Sequence, residues 1–206
     1  MITLEKWNPL TVDDVKQLFA GAPFDWCLGG GYAIEQFVGR PLRAHADVDV
    51  IIFRDQQLPA RAWLRGWDLY AADPPGTLRP WPEHEYLPYG IHDIWGHRPD
   101  SSAWQLQLIL QEANSREWFY RRDHRVRGSR ESFISRYNGI LCIRAKIQLL
   151  YKAHNRRPKD ETDFQACLPL LNRGAKEWLS THIDLLYSEE HPWSDRLRPG
   201  RSSSPF

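Results

Sequence analysis

Three features of this 206-residue chain predict an α+β fold. A strand–helix–strand unit lies near the N-terminus, a proline-punctuated run of short alternating segments fills the middle, and apolar residues recur at helical spacing after about residue 135.

The N-terminal unit begins with a helix starting at Thr11, where Asp14 three residues on makes a capping-box pattern, and ending at Gly21. Trp26 to Leu28 reads as a short buried strand. Gly29, Gly30 and Gly31 then let the backbone turn sharply and approach a ligand with no Cβ in the way. Tyr32 to Val38 reads as the following helix. Amides at such a junction carry the positive end of the helix dipole, so the turn is predicted to cradle the anionic tail of a nucleoside triphosphate.

In the next strand, residues two apart project from one face. Asp47 and Asp49 therefore point together towards one divalent ion, while Val48, Val50 and Ile52 face the core. Mg²⁺ suits a pair of carboxylates, with water and phosphate oxygens completing its octahedral shell, and two such ions would both activate a hydroxyl and neutralise a leaving pyrophosphate. A helix is expected over Gln56 to Arg65.

The pattern Leu28-Gly-Gly-Gly-Tyr-Ala33, a short helix, Gly39-Arg40, Arg43-x-His45-x-Asp47-x-Asp49 and a hydrophobic strand resembles the minimal nucleotidyltransferases of the polymerase-β superfamily. The resemblance is to the small adenylyltransferases of aminoglycosides and lincosamides, and to the abortive-infection nucleotidyltransferase toxins. It is sharp over roughly residues 24 to 57. It implies a mixed sheet with flanking helices and a helical C-terminal subdomain, divided here as 1–135, 136–195 and a flexible tail over 196–206. The implied activity is Mg²⁺-dependent transfer of a nucleoside monophosphate, AMP, from a nucleoside triphosphate, ATP, to a hydroxyl of a small molecule such as an aminoglycoside or lincosamide. RNA or protein is the alternative acceptor, and a nucleotide-binding or partner-binding module with a decayed site is the alternative outside catalysis.

The resemblance also implies a third carboxylate, on the strand after the next hairpin, to complete the metal site or act as base. That hairpin is predicted to pair Gly90–Trp95 with Trp104–Leu110 through the turn-rich segment 97–102, and the carboxylate position falls near Gln107, which cannot take a proton. Three alternatives stay open: Asp93 or Glu112 supplies the charge, two aspartates suffice, or the site binds nucleotide without turnover. The site expected from the sequence is thus Asp47, Asp49 and Asp93 for chemistry, with Asp47 and Asp49 on the metal. Gly29, Gly30, Gly31, Arg43, His45 and Lys152 are expected around the nucleotide. His45 has a second reading as a structural histidine, and Arg43 as an exposed arginine beside a strand.

Between Trp67 and Arg122, Pro74-Pro75-Gly76 and Pro80-Trp-Pro82 exclude helix and leave short antiparallel strands. The basic run Arg121 to Arg130 reads as a solvated loop, or as a holder of triphosphate or RNA. Ile140, Ile143, Ile147, Leu150 and Tyr151 describe one helical face, Pro158 opens another helix whose first turn carries acids, and Ala175 to Leu186 forms a third. The resemblance places Lys152 and Lys159 on phosphates and Asp160 or Asp163 in acceptor activation; helix capping is the competing reading of the acids. His191-Pro-Trp193 is expected to cover the helices.

A hydrophobic fraction of 42% supports a real core, and a net charge of +1 excludes a uniformly basic nucleic-acid binder. No apolar run reaches membrane-spanning length and no signal pattern opens the chain, so a cytoplasmic protein without a membrane partner is expected, with a homodimer as an option. Cys27, Cys142 and Cys167 suit buried reduced thiols. The ten tryptophans read as packing residues, with Trp95 and Trp118 the candidates for stacking a base.

Overall fold

The computed structural model describes residues 6–188 and 190–198. Helix α1 (Val12–Leu18) opens with the expected capping box: the Thr11 hydroxyl accepts from the Asp14 amide, and the Asp14 carboxylate accepts from the Thr11 amide. Strand β1 (Trp26–Leu28), helix α2 (Gly30–Val38) and strand β2 (Asp49–Phe53) form the strand–helix–strand unit. A 3-10 turn then leads into α3 (Gln57–Trp63).

The middle of the chain supplies β3 (Asp68–Ala72), β4 (Leu78–Pro80), β5 (Asp93–His97), β6 (Leu106–Gln111), β7 (Glu117–Phe119) and β8 (Arg127–Ser129). A correction follows them. The segment read as the start of a helix at Ile140 is strand β10 (Ile140–Ile143), paired antiparallel with β9 (Ile134–Tyr137), and helix α4 begins only at Ala145 and ends at Ala153. Spacings of three and four residues mimic a helix face when a short strand buried on both sides runs directly into a helix. The C-terminal helices are α5 (Pro158–Cys167), α6 (Arg173–Leu186) and α7 (Pro192–Leu197).

Eight strands form one mixed sheet in the order β4-β3-β5-β6-β2-β1-β10-β9, and β7 and β8 form a separate pair. β2 lies centrally, antiparallel to β1 and parallel to β6. Val48, just before β2, and Val50 and Ile52 within it are at most 1% exposed, as expected, but Ile51 and Phe53 are buried as well, so the strand is covered on both faces. The predicted hairpin is present as β5 and β6, with Asp93 opposite Ile109 and Trp95 opposite Gln107.

Helices α4 and α5 pack on α2 and bring the C-terminal part against the glycine turn. Trp193 is fully buried and stacks on Phe164 with ring centroids 4.1 Å apart, covering the helices as expected. Arg196 and Leu197 end α7, and residues 199–206, the rest of the expected tail, lie outside the described residues. The three cysteines are buried and free. No described helix is long and apolar enough to cross a membrane.

A buried ion pair joins β2 to β6. Arg54 and Glu112, 1% and 2% exposed, meet at 2.7 Å, and the remaining guanidinium donors reach the carbonyls of Leu87, Pro88 and Ile91. Glu112 therefore serves the fold and not the carboxylate site.

Candidate active site

A cleft of about 420 Å³ opens where the N-terminal end of β2 and the neighbouring β6 face α4 and the start of α5. Asp47, Asp49, Asp93 and Gln107 line its floor, together with Gly30 and Gly31. The parallel register sets Asp49 beside Gln107, the position where the sequence pattern led one to look for a third carboxylate. Asp93 on β5 faces the same cleft, and the Gln107 amide donates to its Oδ1 at 3.2 Å.

Asp49 carries the largest consequence of this crowding. Burial, and next the charge of Asp47, push its carboxyl up to about 7; Asp93 adds to the rise, while Lys152 and Lys159 oppose it. The turn is shaped around this carboxylate. Gly30 sits at φ +60°, and a Cβ there would stand 2.0 Å from Asp49 Oδ2.

Two of the three amides offered to a phosphate have protein partners instead. The Gly29 N–H donates to the Asp49 carbonyl at 2.9 Å, and the Gly30 N–H donates to Gln148 Oε1, on α4, at 2.8 Å. Gly31 is a glycine for a different reason, since a Cβ would meet the His45 ring at 2.2 Å and the Arg43 guanidinium at 2.4 Å.

His45 and Arg43 are locked in place. His45 Nε2 lies 2.8 Å from Glu35 Oε1, its Nδ1 lies 3.0 Å from Arg43 Nη1, and its ring packs on Tyr32. Glu35, buried on α2, also accepts from the Leu42 and Arg43 amides at 2.7 and 3.2 Å. Burial alone would raise this carboxyl, but those amides and His45 outweigh it and hold it below its ordinary value. One carboxylate thus closes the loop that delivers Asp47. Nothing local signals this role, because Glu35 reads as an ordinary helix residue.

Arg43 continues into the helical part through paired contacts to Asp163 at 3.2 and 3.3 Å. Lys152 lies between Asp163 at 2.8 Å and Asp160 at 3.0 Å, and Asp160 also accepts from the Arg157 backbone and guanidinium. Both aspartates are 1% exposed, so the expected capping role of Asp160 and an ion network coexist. Lys159 and Arg157 line the same wall of the cleft.

Trp95 and Trp118 do not line the cleft. Trp95 packs edge-on against Trp7 and Trp104, and Trp118 is buried with its Nε1 donating to Ser132. The basic run is divided. Arg121 and Arg122 reach the cleft, whereas Arg125 pairs with Asp123 and Arg130 with Asp25 and Asp55.

Among the described residues, no three His, Cys, Asp or Glu side chains come together as a metal cluster. The donors present still fit Mg²⁺, which takes one or two protein carboxylates and fills its shell with water and phosphate oxygens. Asp47 and Asp49 face the cleft together, and burial with the neighbouring Asp47 charge raises the Asp49 carboxyl although Lys152 and Lys159 oppose the rise.

Residues 11–66 match the family model of the aminoglycoside-2''-adenylyltransferases. Solved structures agree over most of the chain. The antibiotic-resistance factor ANT(2'')-Ia in solution superposes with a TM-score of 0.52 at 18% identity, covering 85% of this chain and 92% of that one. The chain shares its fold with the antibiotic adenylyltransferases. The lincomycin-bound lincosamide adenylyltransferase LnuA gives a TM-score of 0.51 at 15% identity, covering 77% of this chain and 97% of its own. A crystal structure of ANT(2'')-Ia with adenylyl-2''-tobramycin gives 0.50 at 15%, with 84% and 97% covered. No curated protein sequence matches the chain. The resemblance to the aminoglycoside and lincosamide adenylyltransferases of the nucleotidyltransferase superfamily therefore holds in both the motif segment and the fold.

Proposed function

We propose that the chain is a Mg²⁺-dependent nucleotidyltransferase moving AMP from ATP to a hydroxyl of a small molecule. The observation that carries this reading is the carboxylate pair Asp47 and Asp49 at the glycine turn, lining one cleft with Lys159 and Arg157. Such a floor suits a metal-bound triphosphate and repels a bare one.

Magnesium held by Asp47 and Asp49 would neutralise the triphosphate and favour departure of pyrophosphate. The chain's own residues do the rest. Lys159 and Arg157 make charge-assisted contacts to phosphate oxygens at the wall. Asp93, oriented by Gln107, takes the proton of the acceptor hydroxyl as that oxygen attacks the α-phosphorus. Glu35, His45 and Arg43 act as positioning residues, because they fix residues 42–45 and hence Asp47. The Lys152–Asp163 contact ties that loop to α4 and α5. The neighbours' acceptors, an aminoglycoside and a lincosamide, set the size of molecule expected here.

The test follows the label. Incubation with Mg²⁺, a pool of hydroxyl compounds and ATP labelled at the α- or γ-phosphate should move α-label to an acceptor and release γ-label as pyrophosphate. Transfer of the γ-label to an acceptor would replace this reading with phosphoryl transfer, and no Mg²⁺-dependent release would remove it.

A further inference from the structure

We propose that the acceptor carries an anionic group, a phosphate ester or a carboxylate, seated on Arg121 and Arg122. The proposal rests on the transferase reading above and names the acceptor class for that same cleft.

The cleft holds two cationic groupings. Lys152, paired with Asp160 and Asp163, and Lys159 stand on α4 and at the start of α5, the wall assigned above to the triphosphate. Arg121 and Arg122 line another part of the wall, on the segment leaving β7. Their guanidinium carbons lie 5.8 and 5.9 Å from the centroid of the Tyr151 ring, and Arg122 also lies over Tyr120 and donates to its hydroxyl at 3.2 Å.

Neither guanidinium has a carboxylate partner among the described residues, although Arg125 and Arg130 of the same run do. Two like charges held over one ring without a counter-ion leave a local positive field. Burial, and next these two arginines, lower the imidazole of His154 on the same wall.

The platform is rigid before any ligand arrives. The Tyr151 hydroxyl donates to Gln111 Oε1 at 2.8 Å, and the Gln111 amide donates to the Phe119 carbonyl at 2.6 Å. Two guanidinium groups beside a hydrogen-bonded ring suit bidentate capture of a phosphate or carboxylate. A polyamine would bring ammonium groups against them, and each close like-charge contact opposes binding. A polynucleotide would require the positive strip to continue, but Arg125 is neutralised by Asp123 and Arg130 by Asp25 and Asp55.

The test uses the full chain with Mg²⁺ and the non-hydrolysable α,β-methylene analogue of ATP, titrated calorimetrically. Binding of that analogue to the wild-type protein is measured first; its failure removes the transferase reading, and this inference with it. With the analogue seated, inorganic phosphate, succinate, tobramycin and a short oligouridylate are added in turn. The expected result is binding of phosphate or succinate that weakens about tenfold or more in R121Q/R122Q, the loss expected for hydrogen bonds to charged groups. Analogue affinity should stay within about twofold, and each single variant should show part of the loss. Phosphate without succinate assigns a phosphate ester, and the reverse a carboxylate.

Four results would overturn the proposal. They are loss of analogue affinity in the double variant, no binding or unchanged binding of both small anions, tobramycin binding equally to both proteins, and oligouridylate binding more tightly than phosphate.

Discussion

Replacing Asp49 by Asn should stabilise the metal-free protein at neutral pH. Its carboxyl is held at about 7 in the fold against an ordinary 3.8, about three pH units, and each unit corresponds to about 1.4 kcal/mol. Because the folded-state value is the higher one, the fold takes up a proton between these limits. The stability that proton contributes is present near pH 4 and lost as pH rises towards 7. The ceiling is about 4 kcal/mol, and water entering an open cleft reduces it to roughly 2 kcal/mol. Asn keeps the shape beside Gly30 and carries no charge. At about 2 to 4 °C per kcal/mol for a chain of this size, the variant should melt about 4 to 8 °C above wild type at pH 8 and level with it at pH 4. Melting curves in EDTA from pH 4 to 8 measure this. A variant no more stable than wild type at pH 8, or a difference constant with pH, would refute the electrostatic reasoning.

Other substitutions separate the site from the fold. Gly30→Ala should destabilise by about 1 kcal/mol or more, from the left-handed backbone and from a Cβ placed against Asp49 Oδ2, and should weaken Mg²⁺-dependent nucleotide binding, measurable by calorimetry. Glu35→Gln keeps the size but removes the charge shared by two amides and His45; transfer should fall at least about tenfold in kcat with little change in KM for ATP, and Glu35→Asp should recover less than half of the loss. Glu112→Gln leaves Arg54 buried without its counter-charge and should cost about 3 to 5 kcal/mol in urea unfolding, while nucleotide affinity of the folded fraction stays unchanged.

The local grammar of the site was legible in the sequence. Three glycines after an apolar strand, followed by two aspartates two residues apart, mark the turn and the carboxylate pair, and the parallel pairing of β2 with β6 sets Gln107, the position read for the third carboxylate, beside Asp49. Long-range commitments were not legible. That the Gly30 amide would be taken by Gln148, 118 residues away, has no local signature, and neither does the pairing of Glu112 with Arg54. Asp93 and Glu112 are equivalent as letters; only sheet packing sends one into the cleft and the other into the core. The helix expected from Ile140 shows the same limit, since a buried strand joined to a helix repeats the spacing of a helix face. Nor could the basic run be divided by inspection, because which arginines are neutralised depends on Asp25 and Asp55 from distant turns.

The central claim is that Asp47 and Asp49 hold Mg²⁺ beneath a nucleoside triphosphate. Thermal stabilisation by ATP, with and without Mg²⁺, in wild type and in Asp47→Asn/Asp49→Asn, tests it directly, since a ligand that binds only the folded state raises the melting temperature with its occupancy. The account predicts a shift in wild type that requires both ATP and Mg²⁺ and disappears in the double variant. An equal shift in both proteins, or none at saturating ATP and Mg²⁺, would contradict it.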